Sequence, residues 1–231
     1  ICIDDDDIIL NLSLTMPKEI KELDENKVVG VDLGIAIPAV CALNTNSYSR
    51  KSIGSADDFL RVRTKIRAQR RRLQKSLSQT SGGHGRKKKL RALDKFSEYE
   101  KHWVQNYNHY VSKQVVNFAI KNNAKYINLE DLEGYGEEEK NKFILSNWSY
   151  YQLQQYIAYK AEKYGIEVRK INPYHTSEVC SCCGHWESGQ RLNQKTFICK
   201  NPECENFGEE VNADFNAARN IALSTNWSDM D

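Results

Sequence analysis

No apolar run in this 231-residue chain approaches the roughly 18 residues that a membrane-crossing helix needs. Nothing near its start has the layout of a secretory leader. With 40% hydrophobic and 28% charged residues it has the composition of an ordinary globular protein. It is long enough to bury a full core in one main domain with an insertion or satellite. Paired, evenly spread cysteines are also missing: five of the seven fall between Cys180 and Cys204, while Cys2 and Cys41 stand apart. An odd, clustered set argues against a disulfide scaffold and for a reducing compartment with a metal site.

Anions are almost absent from one stretch. Between Arg61 and Lys95 lie 14 lysines and arginines, opposed only by Asp94, although the whole chain carries a net charge of just +2. Density of that kind can neutralise a phosphate backbone and gain from counterion release. Arg63, Arg67, Arg70, Arg71, Lys87, Lys88 and Lys89 are the candidate contacts; a solvated helical face is the competing reading.

Cys180 and Cys183 form a CxxC, and after 15 intervening residues Cys199 and Cys204 form a CxxxxC. Four thiolates at this spacing can surround one tetrahedral zinc ion. Gly184 suits the tight turn after the first knuckle, which leaves Cys182 as a bystander. Trp186 could offer an aromatic platform or brace the knuckle.

Ile1 to Leu14 reads as strand, polar turn and strand, with Asp4–Asp7 as a solvated turn rather than a cation site. An isolated hairpin would be marginal, so the expectation is that the chain is the C-terminal part of something longer. Lys27–Gly34 reads as a buried strand with Asp32 at its end. Two further strand-like runs, 35–43 and 47–53, complete an antiparallel meander. Two long helices follow around a glycine-rich tip at Ser81–Gly85. Then come a strand ending in Glu130, a helix capped near Asn147, and a strand at 166–171. After the cysteine-rich insert, a final helix carries Asp214. This order is that of the RNase H-like fold, a mixed sheet with helices on its faces. In that fold the first and fourth strands are neighbours, so Asp32, Glu130 and Asp214 would meet. Asp131 points the other way along its strand. Converging carboxylates of this kind serve two-metal phosphodiester hydrolysis.

Gly30-Val-Asp-Leu-Gly-Ile35, Ile127-Asn-Leu-Glu-Asp-Leu132 and Asn212-Ala-Asp-Phe-Asn-Ala-Ala-Arg-Asn-Ile221 resemble the three split RuvC motifs of TnpB-type transposon nucleases and type V CRISPR effectors. Tyr174–Gly184 and Phe197–Cys204 resemble the zinc-ribbon target-nucleic-acid-binding insert of the same proteins. Together with Asn147-Trp-Ser-Tyr-Tyr and Ser188-Gly-Gln-Arg191, the wording is most similar to the miniature type V effectors.

The resemblance implies RNA-guided DNA cleavage that leaves 5′-phosphate and 3′-hydroxyl ends. Asp32 would bridge two Mg²⁺ (or Mn²⁺) ions, Glu130 and Asp214 would hold one each, and Arg191 would contact the scissile phosphate. Zn²⁺ would sit on Cys180, Cys183, Cys199 and Cys204. Guide RNA and target DNA are the implied partners, with a homodimer open to it, no membrane, and cytoplasmic work at the nucleoid of a prokaryote. The implied layout is the end of a β-barrel wedge domain and linker at 1–26 and a RuvC domain at 27–173 with a basic helical insertion at 57–122. A zinc ribbon at 174–210 and the last RuvC helix and tail at 211–231 complete it. A non-cleaving nucleic-acid binder with the same fold, and a zinc-stabilised structural domain, are the competing functional readings.

Overall fold

The computed structural model describes residues 2–4, 7–10, 17–19, 22–34, 36–80, 82–131, 150–172 and 176–229. The expected cap near Asn147, the tip residue Ser81, residues 11–14 of the expected first hairpin and the motif residues Ile35, Leu132, Trp148, Ser149, Tyr174 and His175 lie outside them.

At its centre is a six-stranded mixed sheet. The strands are β3 (Asp24–Asp32), β4 (Ala39–Leu43), β5 (Arg50–Ile53), β6 (Ala124–Glu130), β7 (Glu167–Ile171) and β10 (Trp227–Asp229). They lie in the order β10-β7-β6-β3-β4-β5. β3, β4 and β5 form the expected antiparallel meander, while β3–β6 and β6–β7 are parallel. The neighbouring of first and fourth strands is therefore present. β3 starts three residues before the expected boundary at Lys27. β10 was not foreseen: it lies in the segment read as a tail and pairs antiparallel with β7. A three-residue edge strand carries too little alternation to register in a sequence.

Side-chain alternation gives the sheet two covered faces. Val29, Val31, Ile127 and Leu129 join Val111, Val115 and Ala119 of helix α2 (Gly83–Lys121). On the same side they meet Leu153, Ile157 and Ala161 of helix α3 (Tyr150–Glu162). The opposite face is covered by helix α4 (Ala213–Leu223), where Ala218 packs on Val40 and Ala42. Cys41 is one more core side chain; burial pushes its thiol up to about 12, so it stays neutral.

Helix α1 (Ala56–Ser78) is capped by Ser55, whose hydroxyl accepts from the Asp57 N–H at 3.2 Å. It folds back on α2 through Phe59, Trp103 and Tyr107, whose ring centroids lie 5.0–5.5 Å apart. The Tyr107 hydroxyl also bonds both the N–H and the carbonyl of Ser55, at 3.0 and 3.2 Å. The glycine-rich tip is shorter than expected, because α2 already begins at Gly83. A short hairpin, β1 (Cys2–Asp4) with β2 (Asp7–Ile9), precedes the sheet. The small sheet of β8 (Thr196–Ile198) and β9 (Glu210–Asn212) belongs to the cysteine-rich insert.

Candidate functional site

The four expected cysteines meet. Cys180 and Cys204 place their sulfurs 3.8 Å apart, Cys183 and Cys199 3.7 Å, and all four lie within 4.8 Å of one another. A tetrahedral ion with metal–sulfur bonds of about 2.3 Å sets its sulfurs about 3.8 Å apart, so the donor set fits. Both knuckles close on a glycine with positive φ. Gly184 (φ +73°) donates to the Cys180 carbonyl at 2.8 Å, and Gly208 (φ +70°) to the Cys199 carbonyl at 3.0 Å. The extra length of the CxxxxC is taken up by a turn in which the Cys204 N–H donates to the Asn201 carbonyl at 3.0 Å. Cys182 is exposed and outside the group.

The carboxylates are brought together by register. β3 and β6 run parallel with Gly30 opposite Asn128 and Val31 opposite Leu129, so Asp32 and Glu130 end the two strands side by side. Gly30 explains how Asp214 joins them. A Cβ at Gly30 would lie 2.0 Å from the Ala218 carbonyl oxygen and 2.2 Å from the Ala222 nitrogen, so only glycine lets α4 sit directly on β3. Asp32 is two residues further along the same face of the strand, about 6.6 Å. Asp214 is one turn N-terminal to Ala218, about 6 Å along the helix. The two steps match. Asn128 fixes the helix at its other end by donating to the Ile221 carbonyl at 2.9 Å. Asn212 caps the start, accepting from the Phe215 N–H at 3.0 Å.

This edge is electrostatically crowded. Burial, then the charges of Glu130 and Asp214, push the Asp32 carboxyl up to about 8, with Arg191 pulling against them. Glu130 is raised by burial against a Thr176 hydrogen bond and Arg191. Asp214 is raised by burial against Arg191 and Lys195. Arg191 thus acts on all three acids, held by bonds to the Asn193 and Gln194 carbonyls at 3.4 and 3.5 Å. Burial, then Asp32, raises the hydroxyl of Tyr150, which the sequence reading quoted within a motif but gave no role. Among the described residues the cysteines are the one group tight enough for a single ion. Asp32, Glu130 and Asp214 do not form such a group. Asp131 turns away towards Lys170, at 3.9 Å.

The insert is fastened to the helix that bears Asp214. Asn216, 2% exposed, accepts from the Ser181 N–H at 2.9 Å and donates to the Val179 carbonyl at 2.7 Å. Asn220 donates to the Thr176 and Val179 carbonyls, both at 2.7 Å. Thr176 in turn donates to Glu130 Oε1 at 2.5 Å. Sequence reasoning passed over Asn216, Asn220 and Thr176. The available signal was a pair of asparagines one turn apart in an alanine-rich helix.

The basic residues divide. Arg63 and Arg70 grip Glu100 of α2 at 2.7 and 3.1 Å, and Glu100 is only 8% exposed, so these two guanidiniums close the helical pair. Lys89 donates to the Ser76 carbonyl and to Thr80 Oγ1 at 3.4 and 3.0 Å. Arg67 is half-buried between them, whereas Arg71, Lys87 and Lys88 are exposed.

Comparison with known proteins finds relatives over most of the chain. The family model described as "Cas12f1-like, TNB domain" matches residues 150–221, a wider span than the cysteine-rich insert alone. A CRISPR-associated endodeoxyribonuclease Cas12f1 of Sulfoacidibacillus thermotolerans is 38% identical over 93% of this chain and 49% of its own length. A TnpB-like protein of Methanocaldococcus jannaschii is 34% identical over 68% of this chain and 55% of its own. A solved CRISPR-Cas12f ternary complex superposes with a TM-score of 0.73 at 32% identity, covering 94% of this chain and 42% of that one. The chain therefore spans about half the length of the curated relatives it matches. No helix among the described residues is long and apolar enough to cross a membrane.

Proposed function

We propose that this chain, a relative of the TnpB-like proteins and miniature type V effectors over about half their length, is the nuclease part of an RNA-guided DNA endonuclease. The observation that carries the reading is the meeting of Asp32, Glu130 and Asp214, three acids far apart in sequence, at one sheet edge under Arg191. The sheet order and the helix on each face support an RNase H-like (RuvC) assignment, with α1 and α2 as its insertion and the cysteine ribbon as a second insertion. We take the domain to run from β3 to β10, interrupted by the ribbon.

Asp32, Glu130 and Asp214 would hold divalent cations, Mg²⁺ or Mn²⁺, since hard oxygen donors at a crowded edge favour a cation over their mutual repulsion. Such ions, when bound, supply an activated water and charge neutralisation at phosphorus. Arg191 offers its guanidinium to the scissile phosphate, in the fork geometry that suits phosphate oxygens. The half-buried setting strengthens that pairing. Tyr150, a neutral hydroxyl beside Asp32, keeps its proton. A structural Zn²⁺ on Cys180, Cys183, Cys199 and Cys204 would hold the ribbon, whose exposed Trp186 offers a stacking surface for an unpaired base. Arg71, Lys87 and Lys88 suit the backbone of a guide–target duplex. Cleavage leaves 5′-phosphate and 3′-hydroxyl ends.

The test is nicking of labelled DNA with guide RNA and the remaining half of the effector supplied. Asp32→Ala lowers the rate by about 100-fold or more, the several kcal/mol of charge stabilisation that bound metal contributes. Arg191→Ala lowers it while leaving zinc content and divalent-ion binding intact. A chain that binds target and guide but never nicks would establish the non-cleaving alternative.

A further inference from the structure

We propose that Thr176 is the positioning residue that orients the Glu130 carboxylate, and that Asn220 holds Thr176 in place. The inference rests on the reading that Glu130 holds a divalent cation.

Glu130 is the last residue of β6, and a strand-end side chain has rotamer freedom that a metal site cannot tolerate. Its backbone is anchored: Gln154 donates to the Glu130 carbonyl at 2.8 Å. Among the described residues its carboxylate accepts from the Thr176 hydroxyl, at 2.5 Å on Oε1. A hydroxyl donor on one oxygen restricts the rotation of the carboxylate, so that it would be held ready for a cation. This is how partners of metal ligands usually act.

Thr176 comes from the root of the cysteine ribbon, forty-six residues from Glu130. Asn220 spends both amide hydrogens on the Thr176 and Val179 carbonyls, each at 2.7 Å, and so sets where that root crosses the strand end. Asn220 and Asp214 share helix α4, six residues apart. Two of the three acids are therefore referenced to one rigid helix: Asp214 directly, and Glu130 through Asn220 and Thr176.

The test measures Mn²⁺ binding by calorimetry on the full chain, with zinc content and thermal unfolding as controls. Thr176→Val weakens Mn²⁺ binding by about tenfold or more, the usual effect of losing a ligand's hydrogen-bond partner, at unchanged zinc content and melting temperature. Thr176→Ser, which keeps the hydroxyl, restores it; a merely structural role would respond to the lost methyl instead. Asn220→Ala weakens binding in the same direction and serves where the valine variant folds poorly. If Thr176→Val binds Mn²⁺ like the wild type while Glu130→Ala does not, the positioning role is overturned and the nuclease reading stands. If Asp32→Ala and Glu130→Ala also bind like the wild type, the carboxylate site itself is wrong, and the positioning role falls with it.

Discussion

At the scale of single residues, Gly30 and Asp32 show how a position can be fixed by what lies against it. The backbone of α4 occupies the place where a Cβ of residue 30 would be, at 2.0 and 2.2 Å. Gly30→Ala cannot be absorbed by a rotamer change, because the obstacle is main chain. It should cost more than about 3 kcal/mol, above the usual range for overpacking, measured by urea unfolding, or prevent folding altogether. Asp32 is destabilised differently. Its carboxyl stands at about 8 in the fold against 3.8 as the reference value. The folded chain keeps this proton through a window in which the unfolded chain has released it. Stability therefore falls as pH rises from about 4 to about 8 and levels off above. Glu130 and Asp214, also raised, act in the same sense. Without added divalent cation, the melting temperature of the wild type should drop between pH 5 and 8. That of Asp32→Asn should drop less, leaving the variant the more stable at pH 8. Equal slopes for the two would show that Asp32 is not the strained group.

At the scale of elements, the basic helical pair combines two jobs that a count of charges merges. Phe59, Arg63, Ile66, Arg70 and Leu77 fall on one stripe of α1, the stripe that faces α2. Arg63 and Arg70 are there because Glu100 is opposite them. The partner could not be read from the run itself, since it lies 37 residues from Arg63 on the other helix. The helical phase was the legible clue: cations on an apolar stripe need a buried anion. Arg63→Ala should destabilise the chain by about 2 kcal/mol, the scale of a hydrogen bond to a charged group, with little effect on nucleic-acid binding. Replacing Lys87 and Lys88 by Ala should do the reverse. Stability stays the same, and the salt slope of duplex binding, read by fluorescence anisotropy, falls by about 0.9 for each phosphate no longer neutralised.

At the scale of the whole molecule, two units of very different self-sufficiency are joined at one place. The knuckle spacing and the three acidic strand and helix ends were legible because metal chemistry and backbone period leave short, local marks. The joint was not, because Thr176, Asn216 and Asn220 act through single hydrogen bonds between segments remote in sequence. The sheet has a continuous core from Val29 to Ile166. Among the described residues the ribbon's own buried apolar cluster is Phe197, Cys180, Cys199 and Cys204, joined by Ala213 of α4, too little to hold a fold without an ion. Cys199→Ser, which removes one sulfur of the four, should release zinc and cost the amides of 176–212 their hydrogen-exchange protection, while those of β3 and β6 keep theirs. The damage should not stop at the ribbon. Thr176 and Arg191, which act on the acids, both belong to it, so divalent-ion binding at Asp32, Glu130 and Asp214 should weaken although none of these residues is changed. Retention of one zinc per chain would show that Cys199 is not a ligand. Loss of zinc with unchanged Mn²⁺ binding would show that the acids are organised by the sheet and α4 alone, without the ribbon.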